Sequence, residues 1–312
     1  MINRRHIRVK VMQSVYAMQQ AQSDDLGKEE KFLKHSIQKM FDLYALNLLL
    51  LVEVQKLAAK KMALSKKKHL ATAQDLQPST NFIENPLINA FAESISLEGY
   101  VSLNALNNWS EDDEYVKIVW EALQKSDLFT AYLATGKPSY ANHKKFVIDF
   151  FTEIIAPNEK LAEYYEDQRI SWVDDIPFVN TWVLKTLNKQ KENKIVHLGN
   201  LYKDTDDEAF VLTLFRKVML HQQNFTEDIM AKTPNWEADR IADIDLILIK
   251  MGIAEFLHFP SIPSKVTINE YIELAKDYST DKSGYFVNGV LDKLSKEYLE
   301  TKRMVKIGRG LL

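Results

Sequence analysis

The sequence predicts an all-α protein, and three observations support this fold class. Only nine glycines and eight prolines interrupt 312 residues. Long stretches place apolar residues three and four positions apart, as on one face of a helix, whereas strict alternation of apolar and polar residues is hard to find. Hydrophobic residues make up 46% of the chain, which is ordinary for a soluble globular protein of two or three domains.

The composition argues against several kinds of function. The chain has no cysteine, which excludes disulfides and Cys nucleophiles and fits the cytoplasm. No secretory signal follows the basic start, and the most apolar run, Leu43 to Val54, is too short to span a bilayer. No two of the seven histidines are three or four residues apart, and no glycine-rich phosphate loop occurs. We therefore expect no enzymatic activity, no cofactor, no metal site and no membrane contact.

The first predicted helix, about Arg5 to Gln20, is basic although the whole chain has a net charge of −3. The stretch NRRHIRVKVMQSVYAMQQ contains three arginines and a lysine, and the first acidic residue is Asp24. Its apolar positions share one face, so we expect the arginines to lie on the outward face. The inward set is Ile7, Val11, Ser14, Val15 and Met18, and the outward set is Arg4, Arg5, Arg8 and Gln19.

A second helical segment runs from Lys28 towards Ser65, as one or two helices, and ends in the acid-free basic patch KKMALSKKKH. Residues 71–86 contain two prolines among Ser, Thr, Asn and Asp, and this composition predicts a linker. The helical pattern resumes at Leu87. Ser110 is predicted to be the N-cap of a following helix because acidic residues come three and four positions later.

A pattern repeats with an offset of 64 residues. The segment FVIDFFTEII resembles the later segment FVLTLFRKVM, and Trp172 pairs with Trp236 in the same register. Any two amphipathic helices of similar length can be aligned, but the matched spacing across two helices favours an internal duplication. In that duplication, residues 146–190 correspond to 210–254.

The last third of the chain has the clearest helical signals. A mostly apolar helix is predicted around Asp243 to Leu257 and is expected to be buried. Thr267 and Glu270 are predicted to form a capping box before INEYIELAKDY, and Ser283 precedes the last helix. The basic tail after Leu299 is expected to be frayed.

The stretch KVTINEYIELAKDYSTDKSGYFVNGVLDKL, Lys265 to Leu294, closely resembles the C-terminal signature of NusB, a family of bacterial transcription antitermination factors. RRHIRVKVMQSVYAMQ and ADRIADIDLILIKMGIAEFL are similar to earlier parts of that family. The resemblance covers about residues 3–60 and 207–298, and typical members are less than half as long as this chain. It implies an N-terminal NusB-like helical subdomain at 1–65, a helical insertion at 66–206 with the partial repeat at 146–190, and a C-terminal NusB-like subdomain with a basic tail at 207–312.

The resemblance implies an RNA-binding transcription factor. Such a factor binds boxA-type single-stranded RNA together with NusE, a small-subunit ribosomal protein. It joins the elongation complex with RNA polymerase and promotes read-through, notably on ribosomal RNA operons. The RNA-binding positions that the resemblance implies are Arg4, Arg5, Arg8, Gln13, Tyr16, Lys282, Ser283, Phe286, Asn288 and Lys293.

Each implied residue type suits a particular contact with RNA. Arginine binds phosphate through two parallel hydrogen bonds, so we expect the arginines to contact the RNA backbone. Tyr16 and Phe286 offer rings on which bases can stack. The chain departs from the family pattern at Lys282, which replaces a usual acid, and at Gly284–Tyr285, which replaces a usual polar or basic pair.

Three alternatives stay open at this point. The chain can be a protein-interaction scaffold with a NusB-like fold and no RNA binding, in which case the arginines form a solvated face. It can be an RNA methyltransferase, since some of these carry a NusB-like domain at their start, but no glycine-rich strand–turn–helix follows the signature. Phe286 can be a core residue, because it shares its spacing with Val290 and Leu294.

Overall fold

The computed structural model of the chain describes residues 1–65, 79–234 and 241–311. Within these ranges the regular structure is helical and contains no strand, which confirms the predicted all-α class. None of the helices in the described ranges has the length and apolar character needed to cross a membrane.

The helices are numbered here in chain order. The α-helices of the described residues are α1 (Arg4–Gln20), α2 (Leu26–Ser65), α3 (Pro86–Ala92), α4 (Ile95–Leu103), α5 (Asn108–Glu111), α6 (Asp113–Gln124), α7 (Asp127–Ala134), α8 (Tyr140–Phe150), α9 (Glu159–Gln168), α10 (Ile176–Lys189), α11 (Thr205–Leu220), α12 (Gln222–Lys232), α13 (Asp243–His258), α14 (Ser264–Tyr278) and α15 (Ser283–Glu300). A π-helical turn, Phe151–Ile155, continues α8, and 3₁₀ turns occur at Ile170–Trp172 and Gly308–Leu311.

The chain forms two compact units. The first contains Met1–Ile37 and Leu201–Leu312, and the second contains Gln38–Asn200. The segment from Lys28 to Ser65 is part of one continuous helix, α2, which contributes its first turns to the first unit. The three regions expected from the family resemblance, 1–65, 66–206 and 207–312, stay a prediction. The compact units show which residues pack together, and they do not show which residues derive from the family. Half of the predicted linker, residues 71–78, lies outside the described residues.

In the first unit, α13 is the central helix. It packs against α1, α11, α12, α14 and α15. Nearly every residue from Asp245 to Phe256 is buried, as expected for a helix that is apolar around its circumference. Gly252 permits the close approach of α15, since a Cβ on Gly252 would lie 2.7 Å from the Cδ2 of Leu291.

The C-terminal tail packs onto the first unit, so the prediction of a frayed tail is wrong. The Arg303 guanidinium donates to the Asp228 carboxylate on α12 at 2.9 Å. The Lys306 Nζ donates to the main-chain oxygens of Glu255 and Phe259, at 3.3 and 3.1 Å. Burial lowers the pKa of Lys306 to about 8. The tail is held in place because Arg303 pairs with a carboxylate on α12 and Lys306 donates to two main-chain oxygens at the end of α13.

The second unit is built around aromatic rings. The Tyr44 and Trp182 rings stack with centroids 4.3 Å apart, and the Tyr132 and Phe146 rings stack at 3.7 Å. Ser110 is not an N-cap as predicted: it lies within the short helix α5, and its Oγ donates to a main-chain oxygen one turn earlier. The helix after it, α6, starts at Asp113.

The helix bounds agree with a 64-residue repeat. In that frame α11, α12 and α13 correspond to residues 141–156, 158–168 and 179–194. The chain forms α8 with its π turn, α9 and α10 at nearly the same places. Phe146 and Phe210, which pair in the repeat, are both buried. Trp236 lies outside the described residues, and the duplication itself stays a prediction.

Two glycines test how tightly α13 and α15 pack. Gly252→Ala removes the flexibility of a helical glycine but presses a methyl group into fully buried Leu291, so we expect a net loss of about 1 kcal/mol in the free energy of unfolding. Gly289→Ala on α15 meets no atom within 4 Å and should stabilise by about 0.5–1 kcal/mol. Urea denaturation measures both. Equal effects from the two variants would contradict the close approach.

Candidate nucleic-acid interface

Helix α1 positions the predicted RNA-binding arginines at its first two turns. It starts at Arg4 because the Asn3 side chain caps it, accepting a hydrogen bond from the main-chain N–H of His6 at 2.7 Å. The apolar face packs against α11 and α13. The five residues predicted to point inward are all buried, which confirms that part of the periodicity analysis.

Arg8 lies in the interior of the first unit, so the prediction that it faces outward is wrong. Its side chain is 3% exposed. Its Nε donates to Glu255 Oε1 at 2.6 Å, and its Nη2 donates to Glu255 Oε2 at 3.0 Å. The physical reason is the carboxylate on α13, which is itself fully buried and needs a cation beside it.

Glu255 accepts two further hydrogen bonds. Thr267 Oγ1 donates to its Oε2 at 3.1 Å, and the Tyr271 hydroxyl donates to its Oε1 at 2.6 Å. Burial acts to lower the pKa of Arg8, but the charge and hydrogen bonds of Glu255 raise it above its ordinary value. Burial and the Glu255 charge raise the pKa of Tyr271 as well. We call Arg8, Glu255, Thr267 and Tyr271 the buried arginine cluster.

The predicted capping box at Thr267 and Glu270 does not form. Helix α14 starts three residues earlier, at Ser264, so both residues lie inside the helix. Their side chains point to α1 and α13, where Thr267 contacts Glu255 and Glu270 contacts two arginines. A separation of three residues fits a capping box, but it also places two side chains on the same face of a helix.

Arg5 and Glu270 form a fork-to-fork ion pair at the surface. The Arg5 Nε donates to Glu270 Oε2 at 2.9 Å, and the Arg5 Nη2 donates to Oε1 at 3.0 Å. Burial acts to raise the pKa of Glu270, but the Arg5 hydrogen bond and the charges of Arg8 and Arg5 lower it. The pair therefore stabilises the fold above the ordinary pKa of glutamate and loses this contribution as the pH falls through the lowered value.

Arg4 makes a simpler contact. Its Nε donates to Asp207 Oδ1 on α11 at 2.7 Å, and its guanidinium lies 5.2 Å from the ring centre of Phe210. The Arg4 side chain is 38% exposed, against 47% for Arg5. Of the three predicted arginines, Arg4 and Arg5 are thus accessible to a ligand and Arg8 is not.

The second predicted segment surrounds the start of α15. Ser283 begins this helix, as predicted, but its side chain is buried and its Oγ donates to Asp245 Oδ2 at 2.8 Å. Lys282, Asn288 and Lys293 are exposed.

The aromatic residues of the candidate surface differ in their exposure to solvent. Tyr16 on α1 is 39% exposed, whereas Phe286 is half-buried and interacts with other groups of the protein. Gln13 is half-buried. Tyr285, which was noted only as a departure from the family pattern, is 83% exposed and is the most accessible of these rings.

The two predicted segments are connected along α1. The Gln20 side chain donates to Asp243 at the start of α13, and Arg8 contacts Glu255 near the end of that helix. The two helices therefore run antiparallel, and Gln20 and Arg8 are separated by about 18 Å along α1 at 1.5 Å per residue. Ser283 contacts the start of α13, so the α15 segment lies towards the Gln20 end of α1.

The sequence analysis did not predict the carboxylates that pair with the three arginines. They are Asp207, Glu255 and Glu270, which lie more than 200 positions away in the chain. One signal was present: Glu255 is an acid within the apolar run DLILIKMGIAEFL, and a buried acid requires a partner. Among the described residues, no three or more His, Cys, Asp or Glu side chains form a group that could hold a metal ion.

The buried arginine cluster predicts a stability difference between neighbouring arginines. Arg8→Ala leaves a buried carboxylate without its cation, and we expect a loss of about 3–5 kcal/mol in the free energy of unfolding. Arg5→Ala breaks a surface pair and should cost about 0–1 kcal/mol. Urea denaturation followed by circular dichroism measures both. Similar losses in the two variants would contradict the buried role of Arg8.

Comparison with known proteins supports the resemblance of the C-terminal part. The sequence model of the NusB family matches residues 178–296. The match thus starts within the region expected to be an insertion, and it does not include residues 3–60, where a family resemblance was also expected. No solved structure matches the chain.

Three relatives are each named transcription antitermination protein NusB. The one from Salinibacter ruber is 41% identical over 112 residues, which are 36% of this chain and 70% of the relative. The one from Chloroherpeton thalassium is 37% identical over 129 residues, 40% of this chain and 61% of the relative. The one from Methylacidiphilum infernorum is 35% identical over 123 residues, 37% of this chain and 86% of the relative. On this identity and coverage, the chain belongs to the NusB family.

Proposed function

We propose that this chain acts in transcription antitermination by binding boxA-type single-stranded RNA. The observation that carries the proposal is the pair of accessible guanidinium groups at the start of α1. Arg4 lies beside α11, and Arg5 lies beside α14, which contains the family signature stretch INEYIELAK. The names of the relatives support the antitermination role. The RNA ligand is our inference from the residue types at this surface.

The proposed surface combines cations with aromatic rings. Arg4 and Arg5 contact phosphates at one end of α1, and exposed Lys282 adds a cation near the other end. Tyr16 and Tyr285 are exposed and offer faces on which bases stack. The buried Arg8 contributes by fixing α1 against α13 and makes no RNA contact. Asn288 and Lys293 are exposed on α15 and are further candidates.

The proposal extends to partners. The RNA is bound together with NusE, the small-subunit ribosomal protein, and the complex joins RNA polymerase to promote read-through on ribosomal RNA operons. No catalytic step is part of this function. The support is the family membership of the chain, since antitermination acts on a transcribing polymerase and on the RNA that it makes.

A second function is favoured by one observation. All three arginines at the start of α1 already have a carboxylate partner within the first unit. A chain that uses its basic helix only for internal pairing is a protein-interaction scaffold with a NusB fold and no RNA binding. The two functions differ in their response to salt, because only RNA binding releases the counterions condensed on phosphates.

The test is a salt titration of RNA binding by variants of the full chain. Arg4→Ala with Arg5→Ala should weaken binding to boxA-type RNA and lower the slope of log affinity against log salt by about 0.7 per arginine. A scrambled RNA of the same length should lose affinity equally, because phosphate contacts carry no base information. Fluorescence anisotropy at several salt concentrations measures both quantities.

Arg216→Ala is the matched control. Arg216 is a half-exposed arginine of the same unit that pairs with Glu30, as Arg5 pairs with Glu270. Its removal should leave affinity and slope nearly unchanged. If the Arg4/Arg5 variant behaves like the Arg216 variant, or if the unaltered chain does not bind RNA, the scaffold function replaces this proposal.

A further inference from the structure

Arg5 has an internal anion at the position that a phosphate would take. A guanidinium binds phosphate best through a fork of two adjacent N–H donors. In Arg5 the fork formed by Nε and Nη2 is occupied by the two oxygens of Glu270. An RNA phosphate that uses this edge must first displace the carboxylate.

Arg4 differs from Arg5 in this respect. Its contact with Asp207 uses Nε alone, at 2.7 Å. The Asp207 side chain is 9% exposed, whereas Glu270 is 21% exposed. Asp207 therefore orients Arg4 from within the protein, and Glu270 is the more exposed of the two carboxylates.

Glu270 can release Arg5 without being left unpaired. The Nη1 of Arg8 lies 3.4 Å from Glu270 Oε2, and Arg8 is itself fixed by two hydrogen bonds to Glu255. When Arg5 turns to a phosphate, Glu270 keeps a cation beside it. A partly exposed ion pair of this kind stabilises the protein only slightly, so the exchange has a small energetic cost.

We infer that Glu270 is an intramolecular competitor that occupies Arg5 and lowers the affinity of this surface for RNA phosphate. The inference rests on the proposed RNA-binding function. Binding then exchanges one carboxylate of the protein for one phosphate of the RNA at Arg5. Glu270 competes with phosphate and does not contact bases, so it lowers the affinity for all single-stranded RNAs to the same extent. The signature helix α14 thereby sets how tightly the basic helix holds RNA.

Glu270→Gln tests the inference, and Glu273→Gln is its control. Glu273 lies on the same helix, pairs with Lys276, and acts on Arg5 only through its charge. Glu270→Gln should tighten binding of boxA-type and scrambled RNA about two- to fivefold, the range expected for loss of a surface pair. Glu273→Gln should change affinity less than twofold. Thermal melts of both variants confirm that they are folded.

A double variant separates competition from positioning. If Glu270 acts through Arg5, Glu270→Gln should give no gain when Arg5 is alanine. If Glu270→Gln weakens binding, or leaves it unchanged while Arg5→Ala still weakens it, Glu270 is not a competitor and the inference fails although RNA binding stands. If Glu273→Gln tightens binding as much, the effect is general surface charge and the inference fails. A chain that binds no RNA in any variant overturns the proposed function itself.

Discussion

The buried ion pair between Arg8 and Glu255 is the interaction on which the first unit depends. Both side chains are out of contact with water, and Glu255 accepts four hydrogen bonds from three residues. A buried carboxylate with every acceptor satisfied is compatible with the fold, and one without its cation is not. This requirement brings α1, α13 and α14 together, although α1 and α13 are separated by more than 200 residues of chain.

The same requirement explains why a chain with net negative charge contains a purely basic helix. The three arginines of α1 are met by carboxylates of α11, α13 and α14, so the charge of the helix is largely balanced within the unit. They differ in access to solvent. Arg8 is buried beside Glu255 and has a structural role, whereas Arg4 and Arg5 lie at the surface. The family signature contributes to both roles, since Thr267 and Tyr271 complete the buried cluster and Glu270 occupies Arg5.

Local pattern predicts the helices of this protein well and their partners poorly. Helical spacing correctly predicted that Ile7, Val11 and Val15 point inward, because the helical repeat of apolar residues is enough to identify the face that becomes buried. The same spacing gave the wrong side for Arg8, because its partner Glu255 lies 247 positions later and no local signal connects them. Thr267 and Glu270 show a related limit, since a capping box and one face of a helix have the same spacing. The candidate site therefore came from the family resemblance, supported by residue type, while its internal pairing required the structure.

In the proposed function, an RNA phosphate replaces Glu270 at Arg5 and a second phosphate contacts Arg4, while the buried Arg8 keeps its partner Glu255. The most direct measurement is a titration of the ¹⁵N-labelled chain with boxA-type RNA, followed through the Nε–Hε resonances of the arginine side chains. The account predicts that the Arg4 and Arg5 resonances shift on binding, while the Arg8 resonance stays at its position and keeps its slow exchange with water. Unchanged Arg4 and Arg5 resonances, or an Arg8 resonance that shifts with them, would contradict it.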